Sequence, residues 1–184
     1  MQSANLKSQT VIVVIMPVSR RLKVQLVSLV GFAAALYARH VEHSMDEDPF
    51  YVPACNSAFL GGNCGAVFKS EYGRILSHWG VVPQGHALDF SLATTGILLY
   101  GAYFVAITFR RPWTVIPFRE EMFLAVATVG ACFSCYLLYV IKYVLNDFCI
   151  VCTTFHLCNF SMLVLAALEY RSPEMKKRGK RKRS

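Results

Sequence analysis

The sequence predicts an all-α fold: a transmembrane four-helix bundle with a lumenal cap loop that contains a short surface helix. Three observations predict it. The chain has 184 residues, 55% of them hydrophobic, and a mean hydropathy of +0.41. The apolar residues gather into four stretches, roughly 22–41, 88–109, 122–145 and 148–168. The charges stand between these stretches rather than along one face of each.

Crossing a bilayer takes about 20 mostly apolar residues. The last three stretches meet that length, the third broken only by Lys142. The first, "LKVQLVSLVGFAAALYA", is shorter and extends to Val41 if Arg39 snorkels. A soluble bundle would show a repeating polar face, and three stretches lack one. The first stretch also fits a cleavable signal, with a basic start and "AAALYA" at its end. The acidic, polar loop that follows needs tethering, so a retained anchor is the reading. One integral membrane domain over 1–184 results.

Orientation follows from the basic residues. Lys7, Arg20, Arg21 and Lys23 precede the first stretch, and Arg110, Arg111 and Arg119 separate the second from the third. Eight more lie between Arg171 and Arg183, which puts 15 of the 19 on one side. That side is expected to be cytosolic, with both termini on it. The loop 42–87 is then lumenal and the basic tail 169–184 cytosolic. The tail ends in "KRKRS", with lysines three and five from the end. This is the register of an endoplasmic-reticulum retrieval address; a plain basic tail on anionic lipid is the alternative. The net charge of +8 reports this tail and two short clusters, so nucleic acid is not an expected partner. Membrane lipids are.

Seven cysteines sort by this topology. Cys55 and Cys64 fall in the lumenal loop. Cys149 and Cys152, in "NDFCIVC", fall at the lumenal mouth of the fourth stretch. Two pairs therefore share an oxidising compartment. A closed zinc site needs four ligands, and the spacing of Cys55 and Cys64 suits one poorly, so no metal is expected. Two static disulfides remain an alternative to a dithiol relay. For the relay, Asn146 or Asp147 caps the fourth helix, and Cys149 and Cys152 occupy its first turn. There the helix dipole favours a thiolate, while Asp147 opposes it. Cys55 and Cys64 bracket "NSAFLGGN", a pliable segment that lets one pair reload the other by exchange. A second CxxC, Cys132 to Cys135, lies mid-span, where small buried packing residues are expected, as at Cys158.

A dithiol at a membrane surface can pass two electrons to a lipid-soluble quinone. Helices meeting at Cys149 and Cys152 can hold such a ring. A moderately amphipathic helix over 66–79 would lie on the surface and cover it. His156 follows Cys152 by four, one turn deeper on nearly the same face. It is a candidate donor to a reduced oxygen; a histidine bonded to a neighbouring carbonyl is the plainer reading.

The chain resembles the vitamin K epoxide reductase family, specifically its short four-helix animal-type members, which include the epoxide reductase-like paralogue. "CNSAFLGGNCGAVFKSEYGR", "NDFCIVCTTFHLCN" and the basic tail carry the resemblance. It implies an enzyme of the warfarin-sensitive type. It would reduce vitamin K epoxide to quinone and quinone to hydroquinone while oxidising protein dithiols. It implies that Cys152 meets the substrate and that Cys149 exchanges with Cys64. Cys55 would take electrons from a thioredoxin-like lumenal protein. Ser70 and Phe68 match family positions that hold the cap and pack over the ring. No tightly bound cofactor is implied, and a monomer is expected.

The chain departs from the family at the substrate end. Asn56 stands where the animal enzymes carry Asp after the first loop cysteine, and the loop spacing differs by one residue. His156 replaces a tyrosine, and Leu92 falls at the place of a quinone-binding asparagine, with Asp89 three residues before it. These residues, with Phe68 and Ser70, form the candidate substrate-binding set. Two other functions use the same scaffold. One is a quinone-linked thiol oxidase that makes disulfides in lumenal partners. The other is a non-catalytic membrane interaction or transport protein with structural disulfides; Lys142 and Asp89 near the span ends keep it open. A soluble thioredoxin-like enzyme is excluded, since strands and helices do not alternate.

Overall fold

The computed structural model describes residues 20–56, 63–83, 85–86, 88–109 and 119–171. Four sequence readings lie outside the described residues: the Lys7 charge, the pliable segment after Asn56, the basic segment at 110–118 and the retrieval pattern of the tail.

The described residues form an all-α bundle. Helix α1 runs Arg20–Glu47. A compact segment follows, made of α2 (Cys64–Lys69), a single 3-10 turn (Glu71–Gly73) and α3 (Ile75–His78). Helix α4 is Leu92–Thr108. Helix α5 is Arg119–Tyr139 and continues as a π-helical turn, Val140–Val144. Helix α6 is Ile150–Tyr170. Three stretches are long and apolar enough to cross a membrane: Arg20–Glu47, Glu120–Val144 and Ile150–Tyr170. By length and composition this is a multi-pass membrane protein. Helix α4 is apolar but has only 17 residues.

The packing pattern is that of helices with lipid as solvent. Small residues face inward: Ser28, Gly31, Ala35 and Ala38 in α1, and Ala93 and Gly96 in α4. Larger ones face out, among them Leu26, Leu29, Val129, Leu157 and Val164. Lipid gives no hydrophobic drive between helices, so close backbone approach does the work instead. Helix α1 lies against α4 and α6, and α6 against α5. Gly31 allows the first contact: a Cβ there would sit 2.6 Å from the Tyr100 ring. At the same end, Arg20 donates to the Leu168 carbonyl (3.2 Å) and Arg21 to that of Thr108 (2.9 Å). These bonds satisfy terminal carbonyls of α6 and α4 with basic side chains, as helix C-termini favour. The core here comprises Val24, Tyr100, Ala127, Cys158, Met162 and Ala166.

Element ends differ from the sequence reading for local reasons. Helix α1 continues to Glu47 instead of giving way to a loop at 42. Helix α4 starts at Leu92 because the Ser91 hydroxyl accepts from the Thr94 amide (3.2 Å) and caps it. The surface helix over 66–79 breaks into three short pieces. Ser70 interrupts it with an extended backbone, and its hydroxyl donates back to the Val67 carbonyl (2.6 Å). Asn146 does not cap the last helix. It takes a left-handed conformation (φ 52°) that ends the preceding element, a geometry Asn tolerates better than most residues. Cys132 and Cys135 are exposed on the outer surface rather than buried, whereas Cys158 packs in the core.

Candidate functional site

The end of the bundle away from that core carries four of the cysteines, Cys55, Cys64, Cys149 and Cys152. Cys149 is the N-cap of α6: its backbone is extended, and its sulfur accepts from the Cys152 amide (3.3 Å). Only Cys152 therefore lies in the first turn. Cys64 opens α2, whose cap is Asn63; the Asn63 side-chain oxygen accepts from the Ala66 amide (3.2 Å). The two helix starts meet through these cysteines. The Cys64 and Cys149 sulfurs are 3.2 Å apart, and both residues are buried.

Cys55 lies next along this line and is partly exposed. Its carbonyl faces the Cys64 sulfur at 3.5 Å. Asn56 ties the two chain segments together. Its amide nitrogen donates to Asn63 Oδ1 (3.3 Å), and its oxygen accepts from the Gly65 amide (3.2 Å). All described cysteines are free thiols. The Cys55 thiol is pushed up to about 12, first by burial and then by the neighbouring Cys64 thiol. Cys64 is also pushed up, first by the Cys149 thiol against it and then by burial. Both outer thiols are thus protonated at neutral pH, and exchange through them draws on a small thiolate fraction.

Cys152 leads inward. It lines an apolar cavity of about 140 Å³ between α1, α4, α5, α6 and the compact segment. Phe68, Ser70, Leu92 and His156 line the same cavity. His156 is buried, and neither of its ring nitrogens has a hydrogen-bond partner. A buried polar group without a partner is costly unless a ligand or water completes it. The π turn at the end of α5 contributes Val140 and Ile141 to the wall.

Two expected substrate residues stand elsewhere. Asn56 fixes the turn that carries Cys64, as above. Asp89 is buried outside the cavity. It accepts from the Ser77 amide (3.3 Å), and its other oxygen lies 3.6 Å from the Arg74 guanidinium. Arg74 also donates to the Asp89 carbonyl (3.1 Å). Burial alone would raise this carboxyl, but Ser77, the Gly85 backbone and Arg74 together hold it below the usual carboxylate range. Asp89 thus latches the compact segment to the start of α4.

The sequence reading missed Asn159 and Glu42, which both line the cavity. Asn159 Oδ1 accepts from the Tyr100 hydroxyl (2.7 Å), and its nitrogen donates to Ser134 (2.7 Å). A polar amide inside a long apolar stretch was the signal available for it. Among the described residues no three His, Cys, Asp or Glu side chains cluster as metal ligands.

A membrane bundle with adjacent cysteine pairs, one reaching toward the surface at Cys55 and one reaching an internal cavity at Cys152, is that of a thiol-based oxidoreductase. The comparisons with known proteins place it more closely. The family model described as vitamin K epoxide reductase family matches residues 23–167, and the chain belongs to that family. It is 30% identical over 141 residues to vitamin K epoxide reductase complex subunit 1 of Mus musculus, covering 75% of this chain and 83% of that one. It is 28% identical over 152 residues to the Rattus norvegicus protein of the same name, covering 81% and 89%.

Proposed function

We propose that this protein reduces a quinone of the vitamin K type, as quinone and as epoxide, in the cavity beside Cys152. One observation supports this above the others: the cysteines adjoin one another from the partly exposed Cys55, through Cys64 and Cys149 with their sulfurs 3.2 Å apart, to Cys152 in the cavity wall. Cys149 and Cys152 are the redox pair. In quinone reduction their two S–H bonds break and one S–S bond forms. Two electrons and two protons pass to the ring as hydroquinone. In epoxide reduction the same pair of electrons opens the oxirane, and its oxygen leaves as water. Cys64 then attacks the new disulfide at Cys149, Cys55 resolves Cys64, and a thioredoxin-like lumenal dithiol protein reduces Cys55.

Phe68 covers the ring, and Ser70 holds the segment that carries Phe68. Leu92 gives an apolar contact in place of an amide, and His156 supplies a hydrogen bond to a ring oxygen. The substrate pocket is thus a divergent version within the animal-type members. Helix α4 completes a four-span bundle, with the compact segment as the lumenal cap. The protein resides in the endoplasmic-reticulum membrane as a monomer, both termini cytosolic.

Purified protein in detergent tests this, with a dithiol donor and vitamin K epoxide or quinone offered separately. Turnover of both, abolished by Cys152→Ala, is expected. Turnover of quinone alone would move the assignment to a quinone-linked thiol oxidase. Turnover of neither, by folded protein, would sink the reading.

A further inference from the structure

The apolar cavity shares a wall with a second, polar cleft of about 710 Å³. Glu42, Phe68, Ser70 and Gly73 line both spaces. Of these four, Glu42 alone titrates. Its side chain is 12% exposed and lies 3.4 Å from Arg39, itself 47% exposed. On the cavity side stands His156, buried and without a partner. A carboxyl set between a wet, charged cleft and a dry cavity can load a proton on one side and deliver it on the other.

We propose that Glu42 is the residue through which protons pass between the polar cleft and the quinone cavity. The inference rests on the reading above, in which the cavity holds the ring. Reduction puts protons on oxygens at opposite ends of that ring. Cys152 and His156 approach from α6, one turn apart, whereas Glu42 approaches from α1. In the step, Glu42 gives a proton to one ring oxygen and regains one from the cleft. One thiol proton goes to the other ring oxygen and the second leaves to water, so the sum is two thiols and one quinone to one disulfide and one hydroquinone. Several groups set the field at Glu42. Arg39 and Asp46 face the cleft from α1; Lys69, Glu71, Arg74 and His78 face it from the cap; Asp89 stands ahead of α4. Tyr72 and His156 face it from within the cavity.

The test uses the full chain in lipid nanodiscs, with dithiothreitol and a short-chain naphthoquinone, between about pH 6 and pH 9. Glu42→Gln is expected to lower kcat roughly 10²-fold, to leave KM nearly unchanged and to flatten the pH profile. Glu42→Asp should recover part of the rate. Glu47→Gln, at the exposed end of α1, should match the wild type. A Glu42→Gln variant with wild-type kcat and profile overturns the proposal. So does an equal loss in the Gln and Asp variants accompanied by a lowered melting temperature, which would mark a packing role. Wild-type protein that fails to reduce the quinone sinks this proposal together with the reading it rests on, whereas an active wild type with an indifferent Glu42 sinks this one alone.

Discussion

The Cys64 sulfur lies 3.2 Å from that of Cys149 although 85 residues separate them in the chain. A disulfide needs about 2.05 Å, so bond formation asks for little more than an ångström of closure. One residue belongs to the loop pair and the other to the pair at α6, which makes this contact the junction of the two pairs. The double variant Cys55→Ala/Cys152→Ala leaves Cys64 and Cys149 as the only thiols of the two pairs. Mild oxidation should close Cys64–Cys149 in most molecules, as read by mass spectrometry of the linked peptides. If both thiols stay open to alkylation, the junction is not an exchange site.

Much of this was legible in the sequence, and the rest failed for identifiable reasons. The apolar stretches gave the helices because hydropathy over twenty residues is a strong signal. Their ends were less legible, since single residues set them: Ser91 starts α4, and Asn146 ends the element before α6 by turning left-handed. Cys152, His156, Phe68, Ser70 and Leu92 were all expected near one another, and all line one cavity. Asn56 and Asp89 were expected there too. Their short polar side chains instead bond to nearby backbone amides, of Gly65 and Ser77, a local preference of Asn and Asp that no alignment of positions conveys. Asn159 and Glu42 stayed hidden because their importance comes from which cavities their helices border.

The Asp89 latch predicts sensitivity to acid. Its carboxyl is held below the range of an unfolded aspartate, about 3.9. A depressed carboxyl contributes stability that is present above the unfolded value and is lost as pH falls through the folded one. The protection of the Arg74–Ser77 amides against hydrogen exchange, relative to their intrinsic rate at each pH, should therefore fall below about pH 4 while the long helices stay protected. Asp89→Asn should loosen the same segment at neutral pH and remove the acid step. Unchanged exchange in the variant would show that the cap is held by other contacts, such as Trp79 against Tyr136 at 5.9 Å.

Gly96 tests the cavity wall by crowding it. A Cβ at this position would run into the Phe155 ring, and that ring both lines the cavity and packs edge-on against Tyr100 at 5.1 Å. Gly96→Ala has two ways to relieve the clash: α4 backs away from α6, or Phe155 turns into the cavity. Overpacking of this kind costs about 1–3 kcal/mol. A lowered melting temperature and a raised KM for the quinone should appear together. A variant with lowered stability and unchanged KM would show that the helices separate instead.

Cys55 is the thiol an outside partner meets first, and burial together with Cys64 pushes it up to about 12. Well below that value the thiolate fraction rises tenfold for each pH unit. A free cysteine, near 8.5, levels off by about pH 9.5. Maleimide labelling of Cys55 in a variant lacking the other cysteines of the relay is the wrong test, because removing Cys64 removes part of the cause. Labelling of the intact reduced protein, quantified on the Cys55 peptide, is the right one. The rate should climb log-linearly past pH 9 with no plateau. Cys55 should also label more slowly than a solvent-exposed thiol at neutral pH, because its thiolate fraction is smaller by more than its greater basicity makes up in nucleophilicity. The sign for stability runs with it: a thiol raised in the folded state favours the folded, reduced form below the unfolded value, and that contribution is lost as pH rises from there through the folded one. Cys64→Ala should lower the labelling midpoint of Cys55 and speed its reaction at neutral pH. A midpoint that stays in place would assign the whole shift to burial and remove Cys64 from direct contact with the entry thiol.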